Sequence, residues 1–173
     1  LTESVAAWTE EQSNKNGQKA RVGILGGSSK PFMAALLGVM GNGNVAIPID
    51  IQSNMETLTD YIDRAEIDYL FYDWEFKERA DAVLEACPGL KETVCLQNRK
   101  SVLSIYEIWE KYTDYELKSD IDAEECVMIL FTSGTTGKGK GVMLSHRNLI
   151  SNIFSTDLDK HIDGDISLNV LPV

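Results

Sequence analysis

The sequence lacks the features that mark membrane-spanning proteins and His/Cys metal proteins. No stretch approaches the roughly 20 consecutive apolar residues of a transmembrane helix. The first residues, Leu1–Gln12, carry several acids and no basic segment of the kind found in signal peptides. The three cysteines, Cys87, Cys95 and Cys126, have no CxxC spacing, and only two histidines accompany them. We therefore expect buried thiols in a reducing cytoplasm, with no disulfide, no metal site and no membrane span.

Acidic residues are plentiful in the chain as a whole but absent from one segment. The formal net charge of −11 argues against nucleic acid as the main partner. The segment Cys126–Thr156 contains no Asp or Glu, although the overall acid frequency predicts about five there, and it keeps Lys138, Lys140 and Arg147. This pattern indicates an anion-binding segment. Strand burial would explain the missing acids at Val127–Phe131, but not in the polar loop that follows.

Short apolar runs alternate with amphipathic stretches, which predicts an α/β fold. The runs typical of buried strands are Val22–Leu25, Val45–Ile49, Tyr69–Tyr72, Val94–Leu96 and Val127–Phe131. Between them, helical spacing predicts core-facing stripes whose members include Phe32, Leu36, Leu37, Met40, Met55, Leu58, Ile62, Phe76, Val83, Leu84, Ile108 and Trp109. The alternation favours a mostly parallel sheet flanked by helices. Ser28 and Ser29 are predicted helix caps, and Ser104 with Glu107 is a predicted capping box.

The segment that follows the last predicted strand has the composition of a phosphate-binding loop. Between Thr132 and Gly141 lie four glycines, four hydroxyl side chains and two lysines. Glycines let backbone N–H groups approach a ligand closely, while hydroxyls and lysines supply donors and positive charge. A flexible surface linker has a similar composition, but linkers seldom follow a buried strand directly and carry paired lysines.

Two familiar nucleotide motifs fit this sequence poorly. Gly134–Lys140 matches the start of a Walker A motif, but the next residue is Gly141 where that motif needs a Ser or Thr for Mg²⁺. The residues after the lysine predict another short strand, with the helix starting later at an N-cap on Ser145. The stretch Gly26–Pro31 lacks the GxGxxG pattern of a dinucleotide site, so Asp50 at a strand end gives that interpretation little support.

The ordered match Phe131-Thr-Ser-Gly-Thr-Thr-Gly, then Lys140-Gly-Val, then Ser145-His146-x-Asn148 resembles the AMP-binding signature of the adenylate-forming superfamily. That superfamily contains acyl-CoA synthetases, aryl-CoA ligases, luciferases and peptide-synthetase adenylation domains. The similarity covers nearly the whole chain and, within the superfamily, is greatest to bacterial long-chain fatty-acid–CoA ligases. One departure is Gly139, where the family pattern usually has a proline, so a restraint on φ is lost.

This resemblance implies part of the large N-terminal domain of the acyl-CoA synthetase-like fold and a two-step reaction. A carboxylate attacks the α-phosphate of Mg²⁺-bound ATP to give an acyl-adenylate and pyrophosphate, and the thiol of coenzyme A then displaces AMP. The implied phosphate-binding residues are Thr132, Ser133, Gly134, Thr135, Thr136, Gly137, Lys138 and Lys140. Thr132 and Lys140 are the implied catalytic donors. His146 is expected to contact backbone in the first turn of its helix in preference to phosphate.

We expect residues 1–173 to be a single partial domain, the N-terminal part of an AMP-binding domain. The Mg²⁺-binding acid, the ribose-binding Asp and the C-terminal domain that the resemblance implies have no match before Val173. Such a fragment would be inactive alone, would expose apolar surface and would self-associate. Two other classes of protein stay open: another nucleotide binder, whether a Walker-type NTPase or a dinucleotide enzyme, and a non-catalytic interaction module with the same fold.

Overall fold

The computed structural model describes residues 1–117, 120–132 and 139–155. The strands are β1 Arg21–Leu25, β2 Val45–Ile49, β3 Tyr69–Tyr72, β4 Glu92–Cys95, β5 Cys126–Thr132 and β6 Lys140–Ser145. The α-helices are α1 Thr2–Asn16, α2 Lys30–Met40, α3 Met55–Arg64, α4 Lys77–Ala86, α5 Ile105–Lys111 and α6 His146–Ser155. A 3₁₀ turn, Trp74–Phe76, precedes α4.

The strands form one sheet in the order β4-β3-β1-β2-β5-β6. The first five in this order are parallel, and β6 returns antiparallel beside β5 at the edge. Successive parallel strands need crossover connections, and the helices between them supply these. Because these five strands run in the same direction, their carboxyl ends all lie along one side of the sheet.

Two apolar cores lie on opposite faces of this sheet. On one face, strand residues such as Ile24 and Phe71 pack with residues of α1, α2 and α5, among them Trp8, Phe32 and Ile108. On the other face, alternate strand residues pack against α3 and α4. The period-2 alternation of strand side chains thus divides them between two helix layers. The predicted mostly parallel α/β fold is confirmed.

The predicted helix starts are confirmed at atomic detail. The Ser29 hydroxyl accepts a hydrogen bond from the Phe32 amide at 3.2 Å, at the start of α2. Ser104 and Glu107 bond reciprocally to each other's backbone amides, which is the predicted capping box of α5. Each cap satisfies an amide that the helix leaves without an internal partner.

Four residues predicted to face the core are instead exposed. They are Leu37, Met55, Leu84 and Trp109. Leu37, Leu84 and Trp109 each directly follow a buried helical residue, and neighbouring residues point about 100° apart on a helix, so both cannot face the sheet. Met55 is the first residue of α3 and lies beyond the packed part of that helix.

The β6–α6 region exposes several large apolar side chains. The exposed side chains there are Val142, Met143, Ile150, Ile153 and Phe154, and Phe154 keeps 80% of its surface accessible. Leu149 of α6 is partly buried and packs against the core that contains Phe32 and Val127. Self-association through this surface stays a prediction.

In the part of the chain that the structure describes, every helix is too short or too polar to span a lipid bilayer. No group of three or more His, Cys, Asp or Glu side chains in that part of the chain could hold a metal ion. The cysteines are free thiols: Cys87 and Cys95 are buried, and Cys126 is partly buried. Burial is the main cause that raises the pKa of the Cys87 and Cys95 thiols above the ordinary value.

Candidate nucleotide-binding site

The β5–β6 hairpin places the two predicted catalytic residues opposite one another. Thr132 ends β5, Lys140 begins β6, and the two residues pair in the antiparallel register. The Thr132 hydroxyl lies 3.4 Å from the Lys140 carbonyl oxygen, to which it donates. Both residues are exposed. The other predicted phosphate-binding residues, Ser133 to Lys138, lie outside the described residues.

The lysine stands on a strand, not at the start of a helix. β6 runs from Lys140 to Ser145, and α6 begins only at His146. The Ser145 hydroxyl accepts from the Asn148 amide at 3.3 Å, while the Asn148 side chain accepts from the Ser145 amide at 2.9 Å. This reciprocal cap confirms the predicted helix start. A Walker A motif needs a helix at its lysine, so the geometry argues against a Walker-type NTPase.

Two other basic residues near the hairpin have structural partners. A ring nitrogen of His146 lies 3.1 Å from the carbonyl oxygen of Met40. The predicted backbone contact of His146 is therefore confirmed. The Arg147 guanidinium pairs with Glu124 on the connection before β5. Of the basic residues in the acid-free segment that the structure describes, Lys140 is the one placed at the loop.

Helix α3 contacts the β5–β6 hairpin through two of its side chains. The Tyr61 ring stacks on the Phe131 ring with centroids 3.7 Å apart and planes 9° from parallel. Arg64 Nη1 donates to the Gly139 carbonyl oxygen at 2.8 Å. These contacts reach the described residues on both sides of segment 133–138. The sequence places Tyr61 in the apolar stripe of this helix, but helical spacing does not show what the helix contacts, so neither contact was predicted.

Gly139 fits the hairpin because it has no side chain. A Cβ atom at this position would lie 2.7 Å from the Tyr61 hydroxyl and 2.9 Å from the Thr132 carbonyl oxygen. A proline, the usual residue in the family pattern, would carry such an atom. The chain therefore has glycine where the family pattern has proline, and the Tyr61 hydroxyl occupies the space that a side chain at position 139 would need.

A cleft of mixed polar and apolar lining opens along the sheet edge where the parallel strands end. Its volume is about 370 Å³, and its lining includes Gly27, Ser28 and Asp50. Beside the cleft, the Asp73 carboxylate, which is 8% exposed, accepts hydrogen bonds from the Gly27 amide at 2.8 Å and from the Gln97 side chain at 2.6 Å.

The Asp50 carboxylate accepts a hydrogen bond from the backbone amide of Gln52, as in an Asx turn. In open parallel sheets, ligands bind at this edge.

Comparison with known proteins shows the family of this chain. The sequence profile of the AMP-binding enzymes matches residues 3–173. The chain is 29% identical over 150 residues to the D-alanine–D-alanyl carrier protein ligase of Streptococcus equi subsp. equi, covering 87% of this chain and 26% of that protein. It thus spans about a quarter of the length of that relative.

Solved structures share the fold. A long-chain-fatty-acid–CoA ligase from Archaeoglobus fulgidus superposes with a TM-score of 0.75 at 24% identity, covering 88% of this chain and 30% of that one. ATP-bound MatB from Rhodopseudomonas palustris gives a TM-score of 0.70 at 25% identity, covering 89% and 30%. The fold is that of the acyl-CoA synthetase-like N-terminal domain. The chain belongs to the family of AMP-binding enzymes.

The contact at Gly139 predicts a specific stability defect. Gly139→Ala should lower the free energy of unfolding by about 1–3 kcal/mol, because the new methyl overlaps the Tyr61 hydroxyl and the Thr132 carbonyl. Adding Tyr61→Phe should recover part of this loss, since it removes the hydroxyl and keeps the stacked ring. The measurement is urea denaturation.

Gly89→Ala is the matched control, because a Cβ there meets nothing within 4 Å. Equal unfolding free energies for Gly139→Ala and Gly89→Ala would contradict the packing described.

Proposed function

We propose that the protein to which this chain belongs activates a carboxylic acid with ATP. One carboxylate oxygen attacks the α-phosphorus, the bond from that phosphorus to the bridging oxygen breaks, and pyrophosphate leaves. The observation that carries the proposal is the pairing of Thr132 with Lys140 at the ends of a glycine- and hydroxyl-rich segment. The family match and the similarity to an ATP-bound structure support it.

The proposed role of the hairpin is to hold the departing pyrophosphate. Negative charge grows on that group as the bond breaks, so donors placed on its oxygens stabilise the transition state more than the ground state. Thr132, Lys140 and the hydroxyls and amides of residues 133–137 would be those donors, with Lys138 adding positive potential. Mg²⁺ bound to ATP would offset part of the phosphate charge.

For the substrate, we propose a fatty acid, with coenzyme A as the acceptor thiol and the cytoplasm as the compartment. The support is the resemblance of Phe131–Asn148 to bacterial fatty-acid–CoA ligases. Free thiols accord with a reducing compartment. A second candidate is an amino acid passed to a carrier-protein thiol, favoured by the 29% identity to a D-alanine–D-alanyl carrier protein ligase.

Pyrophosphate exchange in the full-length protein tests both the reaction and the acid. Radiolabelled pyrophosphate should enter ATP only when the correct acid is present, because exchange requires reversal of adenylate formation. We expect exchange with fatty acids of medium or long chain. Exchange with D-alanine alone would favour the second candidate, and no exchange with any acid would favour a non-catalytic module.

Lys140 should be needed for the first half-reaction. Lys140→Ala is expected to lower the exchange rate by roughly 10²–10³, the usual cost of losing one donor that acts on developing charge. Lys19→Ala is the control, because that lysine pairs with Glu125 before the start of β5, at the opposite end of that strand from Thr132. Exchange by Lys140→Ala at the rate of the control would remove the lysine from the mechanism.

A further inference from the structure

A single helix contacts both ends of the hairpin segment proposed to bind phosphate. On the incoming side, the Tyr61 ring of α3 stacks on Phe131, which directly precedes Thr132. On the outgoing side, Arg64 of the same helix donates to the carbonyl of Gly139, which directly precedes Lys140. The two contact residues lie about one turn apart on α3, so they share one helix face.

The Arg64 guanidinium joins three groups at this point. Its Nη1 donates to the Gly139 carbonyl oxygen at 2.8 Å and to the Asp60 carboxylate at 2.9 Å. Its Cζ lies over the Phe131 ring, 5.6 Å from the centroid. The planar, rigid guanidinium can serve several partners at once in a way that an ammonium group cannot.

The bond to Gly139 bears directly on the orientation of Lys140. A peptide unit is planar, so the carbonyl of Gly139 and the N–H of Lys140 lie in one plane and point in opposite directions. Fixing the oxygen therefore fixes that N–H and the direction in which the Lys140 backbone enters β6. Glycine has more backbone freedom than any other residue, so this peptide needs an external restraint.

We propose that Arg64 is a positioning residue for the phosphate-binding loop, orienting the Gly139–Lys140 peptide so that Lys140 is directed at the nucleotide. This inference rests on the proposed function. Tyr61 assists by holding Phe131, and hence the Thr132 side of the hairpin. Restraint of both ends before the ligand arrives lowers the entropy lost on binding.

Arg64 is poorly placed to act as a phosphate ligand itself. Its charge is paired with Asp60 on the same helix, one turn away. A phosphate group bound there would have to compete with that carboxylate. These contacts favour a role for Arg64 in positioning the loop over a direct role in binding phosphate. Variants at Arg64 and Asp60 can distinguish the two roles.

The test is the KM for ATP in pyrophosphate exchange by the full-length protein, with the acid that gives the fastest exchange. Arg64→Gln should raise this KM roughly 5- to 10-fold, the effect of losing a charge-assisted hydrogen bond that is partly exposed. The rate at saturating ATP should change less than the KM. Arg64→Lys, which keeps a donor but not the planar fork, should give an intermediate KM.

Arg21→Gln is the matched control. Arg21 also donates to a backbone carbonyl, that of Ala65 at 2.8 Å, and pairs with Glu66, so it holds the residues that directly follow α3 without a recorded contact to the hairpin. Its loss should lower thermal stability about as much as Arg64→Gln, and leave the KM for ATP unchanged. A shared rise in KM would mean a general structural effect and would overturn the proposal.

Asp60→Asn separates positioning from direct phosphate binding. If Arg64 positions the loop, freeing its guanidinium should leave the KM for ATP unchanged or slightly higher. A lower KM in Asp60→Asn would show that Arg64 acts on phosphate through its charge and would overturn the proposal. So would an unchanged KM in Arg64→Gln while the wild type is active. Absence of exchange in the wild type itself would instead reject the proposed function, and this inference with it.

Discussion

The antiparallel pairing of β5 with β6 is the interaction on which the candidate site depends. Every other strand pair in the sheet is parallel, and a parallel neighbour could not follow β5 after so short a connection. Because the chain turns back, Thr132 and Lys140 stand side by side at the sheet edge where the parallel strands end. That register is what places a threonine and a lysine opposite one another at the two ends of the loop.

The rest of the fold holds this hairpin in position. Val127 and Ile129 of β5 face opposite cores, so the strand is anchored on both sides of the sheet. Helix α3 lies over one of these cores and reaches the hairpin through Tyr61 and Arg64. A buried strand and a packed helix thus support a segment whose own residues are small and polar, a common arrangement in binding sites.

Most of the strands, helices and helix caps could be predicted from patterns of a few neighbouring residues in the sequence. Apolar runs and helical spacing identified the strands and helices, because side-chain period reports which faces are buried. Ser104 with Glu107 and Ser145 gave their helix starts through capping chemistry that acts over a few residues. Leu37 and Trp109 were wrongly assigned to the core, since neighbouring apolar residues on a helix compete for one buried face. The contact of Arg64 with Gly139 joins residues far apart in the chain, and no local pattern reports such a pair.

The central claim is that the hairpin binds the β- and γ-phosphates of ATP. A crystal structure of the full-length protein with a non-hydrolysable ATP analogue tests it most directly. The account predicts phosphate oxygens at about 3 Å from the Thr132 hydroxyl and from Lys140 Nζ. A triphosphate bound elsewhere, with the hairpin facing only solvent, would contradict it.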